Sequence, residues 1–347
     1  MRSGFVALVG RPNAGKSTLL NCLVGAKVAI ASQWPQTTRL RVMGVRHLAD
    51  AQIVFVDTPG IAKPVTPLGE RLNETARAAV AELEPPDVIC MVLDATAPLG
   101  RGDRLIWDSL PHRVGAASEQ PGGEARPQGR VNLARAAAGS EQPGGEMRPQ
   151  GESAPAGPRT VVAVTKCDRA SRGQIAAQLA AAAGWDAGAY FCVSGRTGDG
   201  TEALLGYLAD GLSEGPAYFP PEQVTDLPEA WRVCEAVREQ LLRRLSDELP
   251  YSIAVRVTEW TERRIRCDIA VERPSQRGIV IGKGGRMLRE VGTAVRRELG
   301  LHGVHLELRV RVERDWQRTP DAVARMLSPQ APAAPLTLPG TAPRRSR

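Results

Sequence analysis

Short apolar runs alternate with amphipathic segments through the first two thirds of the chain. Runs without polar breaks are typical of strands buried on both faces, whereas apolar residues at intervals of three and four are typical of helices. The predicted strands lie at 5–9, 40–47, 52–56, 87–93, 160–164 and 189–193. The predicted helices lie at 18–24, 67–83, 101–110, 171–183 and 201–212. This order predicts a doubly wound α/β domain over residues 1–214, with a mostly parallel sheet that binds its ligand at the carboxyl ends of the strands.

The pattern changes after a proline-bearing linker at 215–227. A long amphipathic helix is predicted over 228–247, followed by β-rich runs at 252–260 and 265–271. The remaining predicted elements are a helix over 286–299, a strand over 304–312 and a short helix over 320–327. Because helices and strands are no longer in regular alternation, we expect a smaller α+β domain over residues 228–328.

Two segments lack the apolar residues that a core requires. Residues 113–159 are rich in Gly, Pro and Glu, and the motif Ser-Glu-Gln-Pro-Gly-Gly-Glu at 118–124 returns at 140–146. The tail 329–347 is rich in Pro and Ala. Because such compositions cannot bury enough apolar surface, we expect both segments to be disordered. The first interrupts the α/β domain between a helix and a strand, so we expect it to loop out harmlessly.

The residues after the first predicted strand read Gly-x-x-x-x-Gly-Lys-Ser. They are Gly10, Arg11, Pro12, Asn13, Ala14, Gly15, Lys16 and Ser17. A glycine-rich loop between a strand and a helix is the context of a phosphate-binding loop, in which backbone N–H groups surround the phosphates. We expect Lys16 to reach the outer phosphates as a catalytic residue and the Ser17 hydroxyl to bind Mg²⁺. The alternative is an ordinary glycine turn with a surface lysine.

A second motif follows the strand predicted at 52–56. It reads Asp57-Thr58-Pro59-Gly60-Ile61. An aspartate at the end of a buried strand near a phosphate loop is placed to hold Mg²⁺ through water. The N–H of Gly60 can approach a γ-phosphate because no Cβ intervenes, which makes it a second catalytic candidate. Alone, the motif is a common turn sequence, but its position favours a nucleotide-dependent switch.

The strand predicted at 160–164 leads into Thr165-Lys166-Cys167-Asp168. The Asp168 carboxylate can accept hydrogen bonds from the N1–H and the 2-amino group of guanine, and adenine offers neither donor. This favours GTP over ATP, with the stem of Lys166 along the purine ring; a surface turn is the alternative. The next strand ends in Ser194-Gly195-Arg196, whose N–H groups could meet the guanine O6.

In the second domain, Val280-Ile281-Gly282-Lys283-Gly284-Gly285 leads into a helix. This pattern fits the Gly-x-x-Gly loop of a KH module, which clamps the backbone of single-stranded RNA. Segment 273–297 holds seven basic residues and one acidic residue around this loop. The predicted RNA contacts are Ile281, Gly282, Lys283, Gly284, Gly285, Arg286 and Arg289. Base selection is expected in an apolar groove near Ile279 and Ile281, for which the alternative role is ordinary core packing. The alternatives are a solvated basic face and a second phosphate loop, although no Lys-Ser/Thr pair follows Gly285.

Composition adds two observations. The 347-residue chain has a net charge of +7, yet only five of its 45 basic residues are lysines, and Lys16, Lys166 and Lys283 lie in these motifs. An ammonium and a planar guanidinium are not interchangeable at a tight phosphate or base site, so this placement supports the motifs. No apolar run is long enough for a membrane span, the first strand begins too early for a signal peptide, and the six cysteines lack paired spacing. We therefore expect a cytoplasmic protein without structural zinc.

Together these motifs resemble the Era family, bacterial GTPases with a C-terminal type II KH domain. The resemblance extends to Gln-Thr-Thr-Arg at 36–39, Gly-Pro-Ala-Tyr-Phe-Pro at 215–220, Asp-Leu-Pro-Glu at 226–229 and Tyr-Ser-Ile-Ala-Val at 251–255. It implies a P-loop GTPase domain that hydrolyses GTP, and a KH domain that binds the 3′ end of small-subunit ribosomal RNA. It also implies a role in small ribosomal subunit assembly and rRNA maturation, with some peripheral association with the inner membrane. We expect a monomer that does not bind DNA.

The resemblance also assigns individual roles. Thr38 is the switch threonine that closes on Mg²⁺ and the γ-phosphate, with Thr37 as the alternative. Ile61 stands where Ras-like GTPases carry the glutamine that orients water, so we expect slow intrinsic hydrolysis. Asn13 resembles the asparagine that holds a K⁺ ion in related GTPases.

Three features depart from the family's pattern. Thr165 replaces the usual asparagine of the base motif, so we expect the loss of a tie between the base loop and the phosphate loop, with weaker nucleotide affinity. Gly195 stands where alanine is usual and still offers its N–H. The insert at 113–159 has no family counterpart.

The resulting hypothesis is a GTP-switched RNA-binding protein. GTP closes the segments 32–39 and 57–61, and the KH face becomes available to rRNA. Two other function classes remain open: an ATPase motor domain, and a constitutive RNA-binding assembly scaffold with a weak or vestigial nucleotide site.

Overall fold

The computed structural model describes residues 1–31, 39, 41–57, 68, 70–71, 86–110, 158–245 and 249–327. Several predictions lie outside these residues. They are the switch residues Thr37, Thr38, Thr58, Pro59, Gly60 and Ile61, most of the helix at 67–83, nearly all of the 113–159 insert, and the 329–347 tail. Arg159, placed at the end of the insert by sequence, instead opens a strand of the sheet.

A six-stranded sheet organises the first domain. Its strands are β1 (Arg2–Val9), β2 (Val42–His47), β3 (Ala51–Asp57), β4 (Val88–Asp94), β5 (Arg159–Thr165) and β6 (Ala189–Cys192). The strand order is β2-β3-β1-β4-β5-β6, and among these strands only the β2–β3 pair is antiparallel. The prediction of a mostly parallel sheet is confirmed. The chain continues on opposite sides of β1, to β3 and then to β4, which creates a crevice at the carboxyl ends of β1 and β4.

Helices cover both faces of this sheet. They are α1 (Lys16–Val24), α2 (Arg101–Asp108), α3 (Arg172–Ala182) and α4 (Thr201–Asp210). Alternate residues of β1 enter two separate cores: Leu8 packs with α1 and α4, whereas Val9 packs with α2 and α3. The strands are buried on both faces, which explains why they read as continuous apolar runs.

The linker predicted at 215–227 is bound to the edge of this sheet. The buried Gln52 side chain accepts from the N–H groups of Tyr218 and Phe219 at 2.7 and 3.0 Å, and donates to the Phe219 carbonyl at 2.7 Å. Further along, the Met43 N–H donates to Asp226 at 2.9 Å. The segment is therefore a fixed strap rather than a free tether.

The second domain has a three-stranded sheet, with strands β7 (Ala254–Trp260), β8 (Arg264–Val271) and β9 (His305–Val312). The strand order is β7-β8-β9, in which β7 is antiparallel and β9 is parallel to β8. The helices of this domain are α5 (Glu229–Leu242), α6 (Leu249–Ser252), α7 (Pro274–Ile281), α8 (Arg286–Glu298) and α9 (Pro320–Leu327). Among the described residues, none of the helices has the length and apolar character needed to span a bilayer.

Two predicted boundaries in this domain are wrong. The first helix ends at Leu242 rather than at residue 247. The strand predicted from residue 252 begins at Ala254, because Ser252 closes the one-turn helix α6. The Ser252 hydroxyl donates to the Leu249 carbonyl at 3.0 Å, a local bond that competes with strand pairing.

Candidate nucleotide and RNA sites

The predicted phosphate loop leaves the carboxyl end of β1 and enters α1. Positive φ values of 152°, 63° and 98° occur at Gly10, Asn13 and Gly15. A Cβ at Gly10 would lie 2.4 Å from the Val92 carbonyl oxygen, so the close approach of the loop to β4 requires glycine. No side chain caps the start of α1, so its first N–H groups remain available to an anion.

Lys16 is held against this loop. Its Nζ donates to the carbonyl oxygens of Gly10 and Arg11, both at 2.9 Å. The residue is buried, and burial lowers the pKa of its ammonium, an effect that nearby Asp57 opposes. A desolvated, preorganised cation at this position would strongly stabilise the outer phosphates of a nucleotide.

Ser17 and Asp57 meet where Mg²⁺ is predicted. The Ser17 hydroxyl donates to Asp57 Oδ2 at 2.7 Å, and Asp57 is fully buried at the end of β3. A hydroxyl and a carboxylate are hard oxygen donors, which suit a Mg²⁺ ion that keeps several waters. Within the described ranges no group of three or more His, Cys, Asp or Glu residues could hold a metal. Phosphate and water oxygens, and the predicted ligand Thr38 outside the described residues, would complete the coordination of an ion at this pair.

The predicted base-recognition residues come together at the ends of β5 and β6. The Asp168 carboxylate accepts from Ser194 Oγ and from Arg196 Nε, both at 2.7 Å. These hydrogen bonds, that from Ser194 first, lower the pKa of Asp168. The carboxylate is thus held in its ionised form, the form that can accept both hydrogen bonds from guanine. Gly195, the residue after Ser194, lies against Leu19 of α1.

We expect Asp168→Asn to reduce GTP affinity by about 10- to 100-fold, because an amide places a donor opposite the donors of guanine. The same change should increase affinity for XTP, whose 2-oxo group can accept from the amide. Competition of GTP and XTP against a fluorescent nucleotide measures both effects. Arg196→Ala is the control: its exposed side chain should be dispensable to within about threefold, because surface ion pairs contribute little. Unchanged selectivity in Asp168→Asn would contradict the assignment.

Thr165 links the base loop to the phosphate loop. Its hydroxyl lies within hydrogen-bonding distance of the Ala14 carbonyl in the phosphate loop, and 2.9 Å from the Leu93 carbonyl on β4. The prediction that replacing asparagine here removes the tie is therefore wrong. The threonine side chain is shorter than that of asparagine. Gly15 packs closely against Thr165, however, and this brings the neighbouring Ala14 carbonyl within hydrogen-bonding distance of the Thr165 hydroxyl.

Thr165→Val should weaken GTP binding by about 5- to 30-fold, since this isosteric change removes the one hydroxyl donor that ties Thr165 to the phosphate loop, at a cost of about 1–2 kcal/mol. The matched control is Thr160→Val, the same change at a buried position earlier in β5. Nucleotide titration at equal protein stability makes the comparison. Equal affinities in the two variants would show that the hydroxyl does not support the loop.

Sequence reasoning missed two carboxylates that position site residues. Asp94, at the end of β4, accepts from Lys166 Nζ at 2.6 Å. Burial raises the pKa of Asp94, but hydrogen bonds from Lys166 and Thr96 outweigh it and the net shift is downward. Asp103, buried at the start of α2, pairs with Arg11 Nε at 2.7 Å and fixes the phosphate loop from the side. The sequence did offer an indication of the role of Asp94: like Asp57, it is an aspartate at the carboxyl end of a buried strand.

The predicted RNA loop joins α7 to α8. Gly282 turns the chain with a φ of 73°, and a Cβ there would lie 2.8 Å from the Cβ of Met287. A 3-10 turn over Lys283–Gly285 then leads into α8, whose first turn has no side-chain cap. Lys283 is exposed, so the loop presents glycine backbone, a helix N-terminus and a cation together.

The surrounding arginines have unequal roles. Arg289 donates from Nη2 to the Gly284 carbonyl at 2.9 Å and so fastens the loop. Arg286 is exposed but pairs with Glu290 at 2.8 Å, and this carboxylate neutralises part of the positive charge of the basic segment 273–297. Ile279 on α7 is 53% exposed, whereas Ile281 is partly buried against the domain core. Ile279 therefore offers the larger apolar surface to a base.

Comparison with known proteins matches both domains. The family described as 50S ribosome-binding GTPase matches residues 5–115, and the KH domain family matches residues 248–317. Curated proteins named GTPase Era from Mycobacterium tuberculosis and Mycobacterium bovis are 41% identical over 336 residues, covering 93% of this chain and 98% of theirs.

Solved structures agree. A crystal structure of an Aquifex aeolicus Era variant bound to GDP and AlF₄⁻ aligns with a TM-score of 0.77 at 31% identity, covering 95% of this chain and 99% of that one. A complex of Era with MgGDPNP and nucleotides 1506–1542 of 16S ribosomal RNA gives the same TM-score at 30% identity, with the same coverage. The chain belongs to the Era family of GTPases.

Proposed function

We propose that this chain is a GTP-hydrolysing switch that binds small-subunit ribosomal RNA near its 3′ end and acts in small-subunit assembly and rRNA maturation. The observation that carries the proposal is the placement of two intact ligand loops on one chain. Thr165 joins a guanine-type base loop to the phosphate loop, and Gly282–Gly285 forms a glycine loop in which Lys283 and Gly284 are exposed. The Era structure with MgGDPNP and 16S rRNA supports the same pair of ligands.

The domain and residue assignments follow. Residues 1–214 form the GTPase domain, with residues 10–17, 57–61, 165–168, 194 and 195 at GTP, and residues 228–328 form the KH domain. The γ-phosphate is contacted by the catalytic residues Lys16, Thr38 and Gly60. Mg²⁺ is coordinated by Ser17 and Thr38, and by Asp57 through water. Ile61 cannot orient water, so intrinsic hydrolysis is slow. Residues 281–286 and Arg289 contact RNA.

A K⁺ ion at Asn13 completes the proposed phosphate site. Asn13 is exposed in the loop with a left-handed φ of 63°. A monovalent cation there would stabilise the charge that develops during hydrolysis. Single-turnover hydrolysis should be faster in potassium than in sodium buffer of equal ionic strength, and equal rates would remove the ion from the mechanism.

We further place the protein in the cytoplasm as a monomer, with a peripheral membrane fraction.

RNA crosslinking tests the function. The full chain with a GTP analogue is irradiated with bacterial small ribosomal subunits, and the crosslinks are mapped. We expect crosslinks concentrated near the 3′ end of the small-subunit rRNA, and their loss in a Lys283→Asp variant. Crosslinks spread evenly over the rRNA, or unchanged in that variant, would contradict the proposal.

A further inference from the structure

Arg39 of the first domain lies inside the second. Its Nη1 donates to the Ile253 carbonyl at 2.7 Å, and its guanidinium carbon lies 5.6 Å from the centroid of the Trp316 ring. Trp316 is fully buried and is itself fixed by a 2.8 Å bond from its Nε1 to the Ser252 carbonyl. We call Ser252, Ile253 and Trp316 the Arg39 socket.

The contact is specific but is opposed by the loss of hydration. Arg39 is buried, and burial together with nearby Arg238 lowers its pKa to about 9, an effect that Glu235 opposes. The guanidinium therefore remains charged at neutral pH. Removing this charge from water is unfavourable, and its contacts with the Ile253 carbonyl and the Trp316 ring offset only part of the lost hydration. Because these contributions oppose one another, the net free energy that holds Arg39 in its socket is small compared with either contribution alone.

A residue that lies a few positions after the other predicted switch contacts the same part of the second domain. Leu68, which follows the 57–61 motif, is buried in an apolar cluster with Trp316. The other members are Ala254, Ala270, Ala322, Val323, Met326 and Leu327. Chain segments next to both predicted switches thus converge on one cluster formed by β7, β8, Trp316 and α9.

Backbone geometry links the socket to the nucleotide. Consecutive Cα atoms are held about 3.8 Å apart, so the position of Arg39 restricts that of Thr38, the predicted ligand of Mg²⁺ and the γ-phosphate. We propose that Arg39 is the positioning residue that couples nucleotide state to RNA affinity through its socket in the KH domain. This inference rests on the proposed function. By linkage, RNA bound to the KH domain alters nucleotide affinity by the same factor.

The test measures coupling separately from binding. Affinities for GDP, for a GTP analogue and for an rRNA 3′-end fragment are determined for the wild type, Arg39→Ala and the control Arg104→Ala, which removes an exposed arginine of α2. We expect the wild type and the control to bind RNA about 5- to 150-fold differently in the two nucleotide states. In Arg39→Ala that ratio should fall to about 1–2, while each nucleotide still binds within about threefold of wild type.

Each outcome has a distinct meaning. A wild-type ratio that survives in Arg39→Ala overturns the inference alone, whereas a wild-type ratio near one overturns the proposed switch as well. If Arg39→Ala does not fold, as shown by loss of GDP binding, Leu68→Ala takes its place with the same expected loss of coupling. A full ratio in Leu68→Ala would then overturn the inference.

Discussion

Replacing Lys16 with alanine will abolish measurable GTP hydrolysis and weaken GTP binding by about 100-fold or more. The lysine ammonium is buried and is already aimed across the loop by the Gly10 and Arg11 carbonyls. Each hydrogen bond from such a charge to phosphate contributes about 1.5–3 kcal/mol, and the other cation of the loop, Arg11, is paired with Asp103. Nucleotide titration and phosphate release measure the two effects.

The matched control for this change is Lys283→Ala, the same substitution at an exposed lysine of the KH domain. It should leave GTP binding unchanged and weaken only RNA binding. Hydrolysis within about threefold of wild type in Lys16→Ala would contradict the phosphate-site assignment. Full cellular function of a hydrolysis-dead Lys16→Ala protein would instead favour the RNA-binding scaffold with a vestigial nucleotide site.

The double variant Lys283→Asp, Gly284→Asp will lose RNA affinity by about 100-fold at moderate salt while retaining GTP binding, because it places two carboxylates where a phosphate backbone would lie. Gly284 has a φ of 58° and open space around its Cβ position, and aspartate tolerates this conformation, so the fold should survive. The slope of log affinity against log salt should also fall by about 0.7 for each lost phosphate contact.

Gly303→Asp provides the control for the loop variant. Gly303 also has a positive φ, 77°, and open space at its Cβ position, but it lies at the opposite end of α8. It should bind RNA within about threefold of wild type, since one added charge away from the loop is largely screened. The control lowers the net charge by one unit and the double variant by three, so a loss in log affinity of about a third of the double variant's would mean that net charge, and not the loop, governs RNA binding.

The strands and motif loops could be predicted because local sequence determines them. β3, for example, is buried along its whole length, and its apolar run ends at Asp57, at the carboxyl end of the strand. In the first domain the predicted strand boundaries differ from the observed ones by at most two residues, except that β1 begins three residues earlier than predicted. The start of β7 could not be predicted, because Ser252 is held outside the strand by its local bond to the Leu249 carbonyl and by a bond from Trp316, which lies far downstream in the chain.

Tertiary partners account for the rest. The buried Gln52 is a polar residue in an apolar run, and only the folded chain shows that it binds the strap at 218–219. The effect of Thr165 was misjudged because residue type alone does not reveal how close the Ala14 carbonyl lies. Arg39 reads as one basic residue in a polar loop, and its role depends on a socket in another domain.

The most direct test of the switch is the affinity of the wild-type chain for a single-stranded rRNA 3′-end fragment at fixed salt, measured once with a GTP analogue and once with GDP. If GTP closure makes the KH face available, RNA will bind at least about fivefold more tightly with the analogue. Equal affinities in the two nucleotide states would contradict the account.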